Sequence, residues 1–139
     1  MVEHLISNQG VARSNRAGLA IFLCAEIICH FHKIVDKDLN VYKYEALVRY
    51  IDEAGDLVYP NHFLSDIEHT KVYTDLSKRI IDICITTAND KLLPISINFA
   101  VNDLLNEVLM DYLVDSVKKL KEKSLISIEI LENESIENL

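Results

Sequence analysis

The sequence predicts an α/β domain, and two observations carry that prediction. Runs rich in β-branched and aromatic residues, bounded mostly by turn or polar residues, recur at 27–35, 41–50, 92–99 and 125–131. Between the later runs lie two longer stretches with helical periodicity, 61–88 and 102–123. Each is long enough for a right-handed crossover between parallel strands.

The first two runs are separated only by Asp36–Asn40. If they pair in parallel a crossover is required, whereas an antiparallel pair needs only a hairpin. In the second run, VYKYEALVRY, alternation puts Glu45, Leu47 and Arg49 on one face and Tyr44, Ala46 and Val48 on the other. A charged pair on one face of a strand is either solvent-exposed or part of a site. The stretch 61–88 has an apolar side in Ile80, Ile81, Ile83 and Cys84, with a candidate break near Thr70. The stretch 102–123 carries a stripe of Leu104, Leu105, Val108, Leu109, Leu113, Val117 and Leu120. Lys118, Lys119, Lys121 and Lys123 load its C-terminal end, where the helix dipole favours cations. Residues 1–26 read as an N-terminal extension, with 19–27 a candidate helix packed on the sheet.

With 139 residues the chain is one domain or a piece of one. Half of it is hydrophobic, and only 3 Gly and 2 Pro are present, which excludes disordered and collagen-like states. A net charge of −8 argues against a nucleic-acid polymer as partner. Cys24, Cys29 and Cys84 are an odd set without dense spacing, which suits a reducing cytoplasm. The apolar run 17–25 falls short of the ~20 residues of a spanning helix. Arg13 and Arg16 give it some look of a signal peptide, but no clear cleavage site follows.

Asn98 ends the third strand, Glu129 lies near the end of the fourth, and Glu45 lies within the second. Polar groups at the C-terminal ends of parallel strands converge on one side of a sheet, where α/β barrels build sites. Two carboxylates and an amide oxygen form a hard donor set suited to Mg²⁺ or Mn²⁺. The plainer reading is that strand ends are polar because they reach solvent. Cys29, His30 and His32 do not make a zinc site, since the histidines face away from Cys29 in a strand. Cys84 reads as core rather than a catalytic thiol, and His62 and His69 as solvated loop residues.

Several motifs in order resemble the EAL domain, the cyclic di-GMP phosphodiesterase family. FHKIVD (31–36) resembles the family's YQPIVD, and YEALVRY (44–50) contains the signature with its following arginine. LVYPNHFL (57–64) resembles the segment with Pro and Phe after the second strand. SINFA (96–100) resembles SVNLS, and IEILENESI (128–136) resembles a motif of the form ELTES.

The resemblance implies a partial (βα) TIM barrel of EAL type, with about four strands and the barrel not closed within this chain. Residues 27–139 would be the N-terminal half of the domain. It implies Glu45, Asn98 and Glu129 as metal ligands, and Glu132 as a catalytic residue bracing the loop that organises substrate and metal. Arg49, Leu47 and His32 would be substrate-binding residues, Arg49 through a ligand phosphate. The implied activity is hydrolysis of cyclic di-GMP to linear pGpG in bacterial second-messenger signalling, with two Mg²⁺ or Mn²⁺ ions. The setting would be cytoplasmic.

His32 and Lys33 stand at the family's Gln-Pro, Ala100 at its Ser and Leu131 at its Thr. A complete barrel takes ~250 residues, and the family's paired aspartates, lysine, later glutamate and glutamine have no counterpart here. The expectation is therefore an inactive fragment; the alternative is a non-catalytic cyclic di-GMP receptor or protein-interaction module. Treated as all-parallel, the strands would leave open edges and an inner face lined by Ile95, Ile97, Ile126 or their alternates. A homo-oligomer, the missing C-terminal half, or residues 1–25 folding back would cover them.

Overall fold

Two aspartates set how the sheet begins. The structure, a computed structural model describing residues 4–6 and 26–131, forms strands β1 (His4–Ile6), β2 (Glu26–Val35) and β3 (Val41–Ile51). The β2–β3 link is closed by Asp36, whose Oδ1 accepts from the backbone N–H groups of Asp38 and Asn40 at 2.8 and 3.0 Å. Leu39 takes the left-handed conformation there, at φ 64°. The link is thus an antiparallel hairpin, and the picture of parallel strands throughout is corrected for β2. So short a connection has no room for a crossover.

Asp52 repeats the device after β3, its Oδ1 accepting from Ala54 and Asp56 N–H at 2.9 Å each. Gly55 supplies the φ of +87° that turn needs. The chain then returns as the two-residue strand β4 (Leu57–Val58), antiparallel to β3. Sequence alternation did not announce so short a strand.

After a 3₁₀ turn at Pro60–His62 come α1 (Leu64–Ile67) and α2 (Lys71–Lys91). The break near Thr70 is real: His69 sits at φ 66°, and Thr70 is extended at the start of α2. Strand β5 (Ile95–Ala100) pairs in parallel with β3, and β6 (Ile126–Leu131) in parallel with β5. The third strand therefore starts at Ile95, because Leu92 is spent as a left-handed cap on α2. The spatial order is β1-β2-β3-β5-β6, with β4 also on β3, a mixed sheet not closed into a barrel among the described residues.

The expected single helix over 102–123 is two, α3 (Val101–Leu104) and α4 (Glu107–Val117). Asn106 causes the split: its side chain accepts from Leu109 N–H at 3.1 Å and restarts the helix. The restart rotates the stripe, so Leu109 and Leu113 are buried while Leu105 and Val108 stand 71% and 61% exposed. Of the candidate helix over 19–27, Glu26 and Ile27 belong to β2 and the rest lies outside the described residues. Within the N-terminal extension, His4–Ile6 pairs antiparallel with Ile28–His30 along the edge of β2.

One face of the sheet packs on the helices. Ile27, Cys29 and Phe31 of β2, Ala46 of β3, and Ile95, Ile97 and Phe99 of β5 meet Leu76, Ile81, Cys84 and Ala88 of α2 and Leu109 of α4. Each fully buried Ile or Leu contributes about 1.5–3 kcal/mol. Ile95 and Ile97 thus line the helix side rather than the inner face; their alternates Ser96 and Asn98 take the other side. Cys84 lies in this core, and Cys29 beside it together with burial raises its thiol pKa, which keeps it protonated. His62 and His69 are exposed.

Candidate metal and phosphate site

The face of the sheet away from the helices is the polar one. Alternation along β3 puts Lys43, Glu45, Leu47 and Arg49 there, because Tyr44, Ala46, Val48 and Tyr50 turn to the core. Cross-strand partners share a face, so the register adds His32 opposite Glu45, Ser96 beside Glu45, and Glu129 beside Asn98.

Glu45 and Asn98 meet directly: Asn98 Nδ2 donates to Glu45 Oε1 at 2.7 Å. Asn98 Oδ1 is buried and has no hydrogen-bond partner. A buried carbonyl oxygen without a partner is costly unless something else satisfies it. Glu129 is engaged by the Lys43 ammonium through Oε1. That contact holds the Glu129 carboxyl below the usual glutamate range and raises Lys43. Glu45 is therefore brought to Asn98, whereas Glu129 is brought to Lys43.

Arg49 is buried at 8% exposure, with its guanidinium carbon 4.4 Å from the centre of the Tyr59 ring. Its Nη1 donates to Val48 O at 2.6 Å, and its Nε has no partner. Arg49, Leu47 and Asn98 line one cleft of about 400 Å³, which is walled on its other side by Tyr73, Leu76 and Ile80 of α2 and bounded by Asp103. Glu45, Glu129 and His32 do not line it, and His32 is exposed. Glu132 lies outside the described residues.

Asp103 under that cleft was not singled out by the sequence. Its Oδ2 accepts from Ala100 N–H at 2.7 Å and from the Tyr73 hydroxyl at 3.1 Å. Burial raises the Asp103 carboxyl, and burial together with the Asp103 charge raises Tyr73. Lys43 was also missed, although its position two residues before Glu45 on an alternating strand was a readable signal.

Among the described residues no three His, Cys, Asp or Glu side chains gather around one point. The donors that do gather include an amide: a Glu45 carboxylate and the partnerless Asn98 Oδ1, with Glu129 alongside but held by Lys43. All three are oxygen donors, which fits a hard divalent ion such as Mg²⁺ or Mn²⁺.

The EAL domain family matches residues 21–139. No curated protein matches the chain. Among solved structures, the PaMucR phosphodiesterase in complex with c-di-GMP is 16% identical with a TM-score of 0.69, covering 81% of this chain and 50% of its own. The EAL enzyme Bd1971 in its cGMP-bound form is 23% identical with a TM-score of 0.66, over 80% of this chain and 34% of its own. An EAL domain protein from Listeria monocytogenes EGD-e is 26% identical with a TM-score of 0.64, over 80% of this chain and 46% of its own. The chain thus spans between a third and a half of the structures it resembles. The motifs, the mixed sheet that carries them and the extent of the family match agree, and the chain belongs to the EAL domain family.

Proposed function

We propose that these residues form the N-terminal half of a cyclic di-GMP phosphodiesterase domain, acting in the cytoplasm of a bacterial cell. One observation carries the reading: the parallel strands β3, β5 and β6 put Glu45, Asn98 and Glu129 on one sheet face, with Asn98 hydrogen-bonded to Glu45. The PaMucR relative, a phosphodiesterase in complex with c-di-GMP, supports the substrate class.

In this reading Glu45, Asn98 and Glu129 hold Mg²⁺ or Mn²⁺. Such ions, when bound, would supply charge stabilisation for a phosphodiester and lower the pKa of an attacking water, the chemistry that opens cyclic di-GMP to the linear dinucleotide. Arg49, fixed against Tyr59 in the cleft, contacts a ligand phosphate, and Leu47 borders the same space. His32 meets the substrate from β2, and Glu132 takes the bracing role that the family resemblance implies. The outer edge of β6, where Ile130 and Leu131 are about half exposed, takes the C-terminal half of the domain or a second copy of the chain. The 139 residues alone turn over no cyclic di-GMP, because they supply one side of the site.

A second reading, a non-catalytic cyclic di-GMP receptor or protein-interaction module, is favoured by the Lys43 ammonium on Glu129. Turnover separates the two. These residues are joined to the C-terminal half of a catalytically active relative, and linear pGpG is followed by chromatography with Mn²⁺ present. The phosphodiesterase reading predicts turnover in the joined domain and its loss, by at least about a thousandfold, in Glu45→Ala. Near-unchanged turnover in that variant would remove Glu45 as a ligand, and no turnover in the parent domain would favour the receptor.

A further inference from the structure

Lys43 and Glu129 sit on strands that do not touch. β5 lies between them, so the pair is separated by two strand spacings across the sheet, roughly 9–10 Å, and is offset along the strands as well. The Lys43 ammonium nonetheless reaches Glu129 Oε1 across Ser96, with the two side chains 18% and 36% exposed. The reach lays a positive charge over the ground between Glu45 and Glu129, on the face where metal ligands converge.

We propose that Lys43 is a built-in cation that takes the place of a divalent ion at Glu129, so that this chain's site holds metal weakly for as long as the ammonium stays. The proposal deepens the reading of Glu45, Asn98 and Glu129 as metal ligands and rests on it. The physical ground is competition for one carboxylate: Glu129 cannot give the same oxygen lone pairs to an ammonium and an ion, and the two cations repel. Local charge tells the same way, because Lys43 halves the net negative charge that Glu45 and Glu129 would otherwise present to an incoming ion.

The test is a titration of the 139-residue chain with Mn²⁺, reading free ion by electron paramagnetic resonance, so that no turnover is needed. Lys43→Met should bind Mn²⁺ about 10- to 100-fold more tightly than the parent chain, the scale on which groups around ligands change metal affinity. Lys43→Arg, which keeps the charge, should stay weak. The gain should vanish in Lys43→Met combined with Glu129→Gln, since the benefit acts through that carboxylate. Lys43→Gln, a polar neutral side chain, repeats the test should the Met variant fail to fold by circular dichroism. Equal Mn²⁺ affinity in the parent and the neutral variants, or a gain that survives loss of Glu129, would overturn the proposal. Glu45→Gln separates the two levels. If it weakens Mn²⁺ binding while neutral residues at 43 change nothing, the metal site stands and the role of Lys43 falls. If no variant changes Mn²⁺ binding, both fall.

Discussion

Asp103 shows how a side chain can support the site without carrying its chemistry. It accepts from Ala100 N–H, fixing the first turn after β5, and from Tyr73, tying that turn to α2. Burial raises its pKa above the ordinary aspartate value of 3.8. A group with a raised folded pKa contributes stability that is fully present below the unfolded value and is lost as pH rises through the folded value. Asp103→Asn keeps an oxygen for Ala100 and does not ionise. The stability of the parent relative to this variant should therefore fall as pH is raised through the ordinary aspartate value of 3.8 and above it. Denaturant unfolding at a series of pH values checks it, and a difference that rises with pH would mean that the hydrogen bonds, not burial, dominate. That Glu45, Asn98 and Glu129 share one sheet face was readable, because each stands in a short motif on an alternating strand. Asp103 was not, because its importance comes from a contact 30 positions away with Tyr73.

Elements were legible where periodicity was long and illegible where one polar side chain overruled it. The cores of β2, β3, β5 and β6 follow the alternation of the sequence. The stripe over 102–123 is interrupted at Asn106, where a cap outcompetes helix continuation, so Leu104, Leu105 and Val108 stay outside the core that Leu109, Leu113 and Leu120 join. The end of α2 shows the same kind of local decision. Leu92 holds the left-handed cap at φ 53°, and its side chain is 57% exposed, so it gives little packing in return. A residue with a Cβ pays about 1–2 kcal/mol in that conformation, which glycine avoids. Leu92→Gly should therefore raise the unfolding free energy by about 1 kcal/mol, seen as a shifted denaturant midpoint with unchanged slope. A loss of stability would mean that the Leu92 side chain holds the α2–β5 corner by contacts that outweigh the strain.

At the scale of the whole chain, the class was legible and the strand directions were only partly so. A five-residue link, Asp36–Asn40, makes β2 antiparallel, while two helical crossovers keep β3, β5 and β6 parallel. That combination divides the sheet into an apolar side under α2 and α4 and a polar side carrying Lys43, Glu45, Asn98 and Glu129. No helix among the described residues is long and apolar enough to cross a membrane. If a divalent ion binds on the polar face, even weak binding allows the ion to be located. Mn²⁺ broadens nuclear magnetic resonance signals of groups close to it, so substoichiometric Mn²⁺ added to isotope-labelled chain maps the ion directly. The Asn98 side-chain amide and the backbone amides of 44–46 and 96–98 should broaden first, and Glu45→Gln should remove that broadening. Broadening that begins instead at the aspartate turns around Asp36 and Asp52, and is indifferent to Glu45→Gln, would place the ion away from this face.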